Sequence, residues 1–255
     1  MEARDAARRL RRIAGRARRW ARRQRYQASV WRKHLRGSVQ SPVRAFSHVY
    51  ETNAWGGPPG EFYSGMGSDP QFAEPYVNAV AALMREHHAK RVVDLGCGDF
   101  RVGRLLCDAV PDGEYTGIDV VAALIARNQQ EFGSDRVRFV AQSIEDDGPL
   151  PDGDICLIRQ VLQHMSNPEI ARVLAVVTAR YPLVVVTEHQ PAAGTARRDN
   201  ARLGHGYGCR LMRRSSVRLD RPPFSIPDVE VLLEVLFSPG GDFLQTVLVR
   251  RPPLG

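Results

Sequence analysis

A doubly wound α/β sheet closed by an antiparallel hairpin is the fold this sequence predicts, and three observations predict it. Short β-branched runs, Val92-Val93-Asp94-Leu95 first, alternate with segments whose apolar residues recur at helical spacing. That first run ends in an acid and opens at once into Gly96-Cys97-Gly98, a strand, tight turn and helix in succession. The chain closes with two alternating stretches, 229–237 and 242–250, separated by Ser238-Pro239-Gly240-Gly241, the pattern of a terminal hairpin.

Composition bounds the rest. A chain of 255 residues with 43% hydrophobic content buries one good core and is not a long disordered polymer. No stretch reaches the ~20 apolar residues that span a bilayer, and the N-terminus lacks the apolar core of a signal peptide, so a cytoplasmic protein is expected. Cys97, Cys107, Cys156 and Cys209 lack C-x-x-C spacing and read as reduced packing residues. The net charge of +8 is unevenly spread: residues 1–45 carry 15 Lys and Arg against Glu2 and Asp5, a local +13, which leaves −5 for the remainder.

In chain order, residues 1–45 form a basic helical extension. Within 4–35, Leu10, Ile13, Ala14, Ala17, Trp20 and Ala21 recur at steps of three and four among arginines, an amphipathic basic helix. Such a helix contacts an anionic membrane surface or a polyanion, or is a solvated appendage. Residues 46–74 form a second unit in which Tyr50-Glu51-Thr52-Asn53-Ala54-Trp55-Gly56-Gly57, Pro58-Pro59-Gly60 and Phe62-Tyr63-Ser64-Gly65-Met66-Gly67-Ser68 read as irregular. Its aromatic residues are costly to expose, which predicts an edge loop or a lid. As a lid it offers the Ser64 and Ser68 hydroxyls and the Gly65 and Gly67 N–H groups to a carboxylate.

At the start of the third unit, 75–255, Pro75 sits early in an apolar-periodic segment running to about His88, a helix leading into the first strand. After the glycine turn comes a helix from Val102 to Val110, then Glu114–Asp119 as the second strand. Asp119 stands 21 residues beyond Gly98, one βαβ unit, where a carboxylate takes both ribose hydroxyls of an adenosine or caps the helix from Ala122. Val137–Ala141 is the third strand, Asp154–Arg159 the fourth and Leu183–Thr187 the fifth. Ser166-Asn167-Pro168-Glu169 is a capping box opening a helix towards Tyr181. Residues 194–220 are polar and irregular, with Arg210, Arg213 and Arg214 either holding an anion or solvated.

Asp94-x-Gly96-x-Gly98 places an acid two residues before the first glycine, and Arg101 stands where the dinucleotide fingerprint has its third. Together with Asp119, Gln142-Ser143-Ile144 and the Arg159–Met165 segment in this order, the chain over 46–190 resembles the class I S-adenosylmethionine-dependent methyltransferases. The Tyr50-x-x-Asn53-x-Trp55-Gly56 and Ser64-Gly65-x-Gly67-Ser68 segments resemble a bacterial subgroup associated with cell-envelope and polysaccharide pathways. The resemblance implies a seven-stranded Rossmann-like sheet and S-adenosyl-L-methionine as cofactor. It implies cofactor contacts from Asp94, Gly96, Cys97, Gly98, Phe100, Asp119, Val120, Ser143, Ile144 and Gln160, with Ser64 and Ser68 from the lid. Phe100 occupies a position where that motif often has a glycine.

Strand ends also gather His164, Glu188 and His189. Methyl transfer needs alignment and a base, and neutral imidazole is competent near pH 7. His164 is the first expectation for the base and the Glu188-His189 pair the second; no spacing is diagnostic of a metal, so none is expected. The N/D-P-P-[YF] tetrapeptide of amino-group methyltransferases is replaced by Arg159-Gln160-Val161-Leu162, which favours an oxygen acceptor on a small molecule or glycan. No specific nucleic acid is expected. A non-catalytic S-adenosylmethionine-binding adapter tethered by the basic helix and an NAD-dependent oxidoreductase are the competing classes.

Overall fold

The computed structural model describes residues 41–251, except 59, 145–147, 207 and 209. The basic helix expected over 4–35 lies outside the described residues. Seven strands form one sheet in the order β3-β2-β1-β4-β5-β7-β6. They are β1 (Arg91–Leu95), β2 (Glu114–Asp119), β3 (Val137–Ala141), β4 (Ile155–Arg159), β5 (Leu183–Gln190), β6 (Glu230–Leu236) and β7 (Phe243–Arg250). β1 to β5 are parallel; β7 runs antiparallel between β5 and β6, as the terminal alternation predicts. The chain winds outwards from β1 and then returns to β4 beside it. Ligands bind where the winding reverses, outside the carboxyl ends of those two strands.

The helices are α1 (Pro42–Glu51), α2 (Pro70–Glu86), α3 (Arg101–Ala109), α4 (Ala122–Phe132) and α5 (Asn167–Arg180). The parallel strands are buried on both faces, hence their continuous apolar sequences. Val92, Ile155, Leu157 and Val185 face α2 and α3. Val93, Cys156, Ile158, Val184 and Val186 face α5 and the segment carrying Val217 and Leu219. α5 opens on the expected capping box, with the Ser166 N–H donating to the Glu169 carboxylate at 2.5 Å.

α2 begins at Pro70, so Pro75 lies inside it, in the early part of the helix where the sequence places it. A proline there costs roughly 3 kcal/mol, but the stripe Phe72, Tyr76, Val77, Val80, Leu83 and Met84 is buried, and each such side chain contributes about 1.5–3 kcal/mol. Burial wins. One local expectation is corrected: α1 carries helix across residue 46 and through Tyr50 and Glu51, the start of the stretch read as irregular. Ser41 Oγ accepts from the Arg44 N–H, Pro42 supplies the first turn, and Ala45 and Val49 are buried.

Candidate active site

A cavity of about 400 Å³ opens at the carboxyl ends of β1, β2 and β4. Gly96 (φ 80°) and Gly98 (φ 57°) form the turn after β1. A Cβ on Gly96 would lie 2.3 Å from Val161 Cγ2, and one on Gly98 2.3 Å from Ser64 Oγ. The Gly96 and Cys97 N–H groups both donate to the Ile118 carbonyl, at 2.7 and 3.0 Å, which ties the turn to β2. At the tip of β2, Asp119 accepts from the Gly98 N–H at 3.2 Å and, through its other oxygen, from the Val121 N–H at 3.1 Å. It therefore stands beside the start of α4 while aimed across the cavity. Burial raises its pKa, and these N–H groups oppose the rise.

Supports for this end lie behind it. Tyr115 Oη donates to Asp94 at 2.5 Å, and burial pushes the Asp94 carboxyl up to about 6. Fully buried Asn128 donates from Nδ2 to the Gly98 carbonyl at 2.8 Å. A Cβ on Gly103 would meet Tyr115 Oη at 2.5 Å, so this glycine lets α3 pack against β2. Asn128 and Gly103 were missed in the sequence. The available signals were an amide in an apolar helical stripe and a third glycine placed two residues beyond the fingerprint position.

The segment read as a lid is clipped onto the glycine turn. The Ser64 N–H donates to the Asp99 carboxylate at 2.9 Å, the Asp99 N–H donates to Ser64 Oγ at 2.8 Å, and Tyr50 Oη lies 3.0 Å from the same Oγ. Ser68 Oγ donates to the Gly65 carbonyl at 2.6 Å. Both hydroxyls line the cavity, yet both also hold the 64–68 turn in shape.

A polar wall follows at the end of β4. Arg159 donates from Nη2 to the Gly67 carbonyl at 2.7 Å and lies 5.0 Å from the Tyr76 ring centroid. Burial depresses its pKa. Gln160 takes a left-handed conformation (φ 59°) that aims its amide at Gly67. Arg159 Nε and Gln160 Nε2 are buried without a hydrogen-bond partner among the described residues. Two donors left bare in this way are costly unless a ligand accepts from them. Arg159 was legible only as part of a missing tetrapeptide.

His164 closes a short 3-10 turn, Leu162–His164. Its ring lies 5.4 Å from the Phe46 ring, edge to face, and 5.8 Å from that of Trp55. Burial pushes its pKa down to about 4, while hydrogen bonding to the Gly206 and Gly208 backbone pulls the other way. Nδ1 has no partner among the described residues. The backbone bonds thus fall on Nε2, which leaves Nδ1 as the nitrogen carrying the lone pair. His189 also lines the cavity; its Nδ1 lies 3.0 Å from Gln163 Oε1, and burial beside Arg159 lowers its pKa to about 3.

Asp94, Gly96, Cys97, Gly98, Asp119, Val120, Ser143, Ile144, Gln160, Ser64, Ser68, His164 and His189 all line this cavity. Two expected residues do not. Phe100 is 3% exposed, and its ring packs on Tyr115, Phe132 and Phe139, so it belongs to the core beneath the turn. Glu188 faces a smaller cavity on the other side of the sheet. Its carboxyl accepts from the Leu162 N–H at 2.8 Å and the Gln163 N–H at 3.2 Å, and burial pushes it up to about 8. It positions the His164 turn. Arg210, expected to bind an anion or be solvated, is 2% exposed and donates to Ala201 O, Met165 O and Asn167 Oδ1. It fastens the 194–220 segment to the start of α5. Among the described residues, no group of three or more His, Cys, Asp or Glu is arranged to hold a metal, and no helix is long and apolar enough to cross a membrane.

These features can be set beside known proteins. Residues 92–180 match the methyltransferase-domain family. The span covers the glycine turn, Asp119 and the His164 turn. A malonyl-[acyl-carrier protein] O-methyltransferase of Anoxybacillus flavithermus is 25% identical over 101 residues, 39% of each chain. The chain thus aligns with about two fifths of that relative's length. The fold is similar to an O-methyltransferase family protein from Burkholderia thailandensis, with TM-score 0.55, 14% identity, and 90% of this chain and 70% of that one covered. It is also similar to magnesium protoporphyrin IX methyltransferase from Synechocystis with bound S-adenosylhomocysteine, with TM-score 0.52, 13% identity, and 82% and 95% covered. The family match marks residues 92–180 as similar to a methyltransferase domain, and the solved structures show the Rossmann-like sheet.

Proposed function

We propose that this methyltransferase domain moves a methyl group from S-adenosylmethionine to a hydroxyl of a small acceptor, with His164 receiving the hydroxyl proton. The observation that carries this reading is one continuous cavity with an adenosine-type site at one end and the bare Nδ1 of a neutral imidazole at the other. The residues present fit the cofactor. Asp119 would hold the ribose, Val120, Ser143 and Ile144 would border the base, and the unpartnered N–H groups of Arg159 and Gln160 would bind the carboxylate of its amino-acid half. Glu188, which lies outside the cavity, has no part in proton transfer.

The cofactor supplies a methyl group on a positively charged sulfonium, already activated towards displacement. The protein contributes alignment and a place for one proton. Asp119 and the 96–98 turn would hold the adenosine half of the cofactor, and Arg159 with Gln160 its amino-acid half. Phe46 and Trp55 keep water from His164, whose Nδ1 lone pair is available throughout the physiological pH range because its conjugate acid forms only near pH 4. The basic segment 4–35 is proposed to bring the domain to an anionic surface without entering this chemistry.

The test is transfer of tritium from methyl-labelled S-adenosylmethionine into a fractionated cell extract. Wild-type protein is expected to label an acceptor, and His164→Ala to bind S-adenosylhomocysteine normally while labelling it ~100-fold more slowly or less. An active His164→Ala protein excludes this histidine as the base. Absence of S-adenosylhomocysteine binding by the wild type excludes the whole reading.

A further inference from the structure

The far end of the cavity has its own chemistry. Its walls are aromatic and aliphatic: Phe46 and Trp55, whose ring centroids lie 6.1 Å apart and which both pack on His164, Phe237 against His189 with ring centroids 4.3 Å apart, and Leu211 and Met212 from a short 3-10 turn. Tyr50 stacks edge-on against Trp55 at 5.6 Å, which braces the indole.

The charged groups at this end are already engaged. Glu169 accepts from the Ser166 N–H and pairs with His205 at 2.7 Å. Asp242 accepts from the Ala192 N–H at 3.0 Å and from Ser238 Oγ at 3.1 Å. Arg159 and Gln160, whose donors are bare, belong to the cofactor's end. Among the described residues, His164 Nδ1 at this end is buried without a hydrogen-bond partner.

We propose that the methyl acceptor is an uncharged alcohol of phenol type, its ring held by Trp55, Phe46 and Phe237 and its hydroxyl bonded to His164 Nδ1. This rests on the methyltransferase reading above and narrows its acceptor class. A sugar ring carries several hydroxyls, and each needs a partner when it leaves water. An ionised acceptor needs an uncommitted opposite charge, whereas a flat apolar ring with one hydroxyl matches what the wall offers. In the reaction the acceptor O–H bond breaks and its proton passes to His164 Nδ1. The O–CH3 bond forms as the S–CH3 bond breaks, the electron pair returning to sulfur to leave a neutral thioether.

The test is calorimetry on the full chain loaded with S-adenosylhomocysteine, using 2-naphthol, 2-naphthoate and methyl β-D-glucopyranoside as probes. 2-Naphthol is expected to bind at least ~10-fold more tightly than either of the others. Trp55→Ala and Phe237→Ala, in separate chain segments, are each expected to weaken it by roughly 10-fold while S-adenosylhomocysteine binding is retained, which also shows that the variants fold. Glucoside or naphthoate binding as tightly as naphthol, no naphthol binding, or aromatic variants indifferent to it would overturn the acceptor class alone. Failure of S-adenosylhomocysteine to bind the wild type would remove the methyltransferase reading and the acceptor class with it.

Discussion

At the proposed donor end of the cavity, Asp94, the 96–98 turn and Asp119 come from one strand-turn-helix unit, residues 94–119. At the proposed acceptor end the lining comes from α1, the loop at Trp55, the 162–164 turn, the 205–212 segment and Phe237. On the proposed reading, the cofactor's end is built around the most local piece of the fold, and the acceptor's end from contacts between distant segments. Changes at the two ends should separate into lost cofactor affinity and lost turnover.

The largest separation is expected between Asp119→Ala and His164→Ala. Removing Asp119 leaves the Gly98 and Val121 N–H groups without their acceptor and removes the ribose partner. Two or more charge-assisted hydrogen bonds at about 1.5–3 kcal/mol each predict roughly a 100-fold or greater loss of S-adenosylhomocysteine affinity. Titration calorimetry checks this, and the same titration should leave His164→Ala near wild type. A His164→Ala protein with equally weakened cofactor binding would erase the distinction between the two ends.

Arg159→Met sharpens the donor end itself. It is expected to weaken S-adenosylhomocysteine by roughly 10-fold, the scale of one charge-assisted bond, and to leave 5′-methylthioadenosine, which lacks the amino-acid half, unchanged. Equal losses for both ligands would assign Arg159 a purely structural task at Gly67 and Tyr76. Phe100→Ala should cost about 3–5 kcal/mol of stability by urea unfolding with the cofactor affinity of the folded protein largely kept, because its ring packs beneath the turn.

The smallest effect concerns Glu188, which is expected to hold a proton in the folded chain between its ordinary value of 4.5 and about 8 and to release it on unfolding. Its contribution to stability is then complete below pH 4.5 and is lost as pH rises through 8. Urea midpoints for the wild type should fall between pH 6 and 9 by more than those of Glu188→Gln. Parallel curves would show that the carboxyl is charged throughout.

How much of this was legible follows the same division. The acid-glycine-glycine turn, the 21-residue interval to Asp119 and the closing hairpin are short-range patterns whose geometry local sequence dictates. Phe100 was misassigned because spacing reports where the backbone runs; its left-handed φ of 65° turns the ring down into the core. Glu188 and His189 are adjacent on β5, and alternate strand residues face opposite sides of a sheet. The pair was thus bound to be split, with only the imidazole reaching the cavity. The burial of Arg210 and the joining of Trp55 to His164 depend on contacts across 43 and 109 positions in sequence, and no local pattern encodes them.

The account stands or falls most directly on titration of S-adenosylhomocysteine into the wild-type chain alongside Asp119→Ala. A saturable single-site isotherm that Asp119→Ala abolishes or shifts by about two orders of magnitude is the predicted result. A flat wild-type trace, or an isotherm that Asp119→Ala leaves intact, would contradict it.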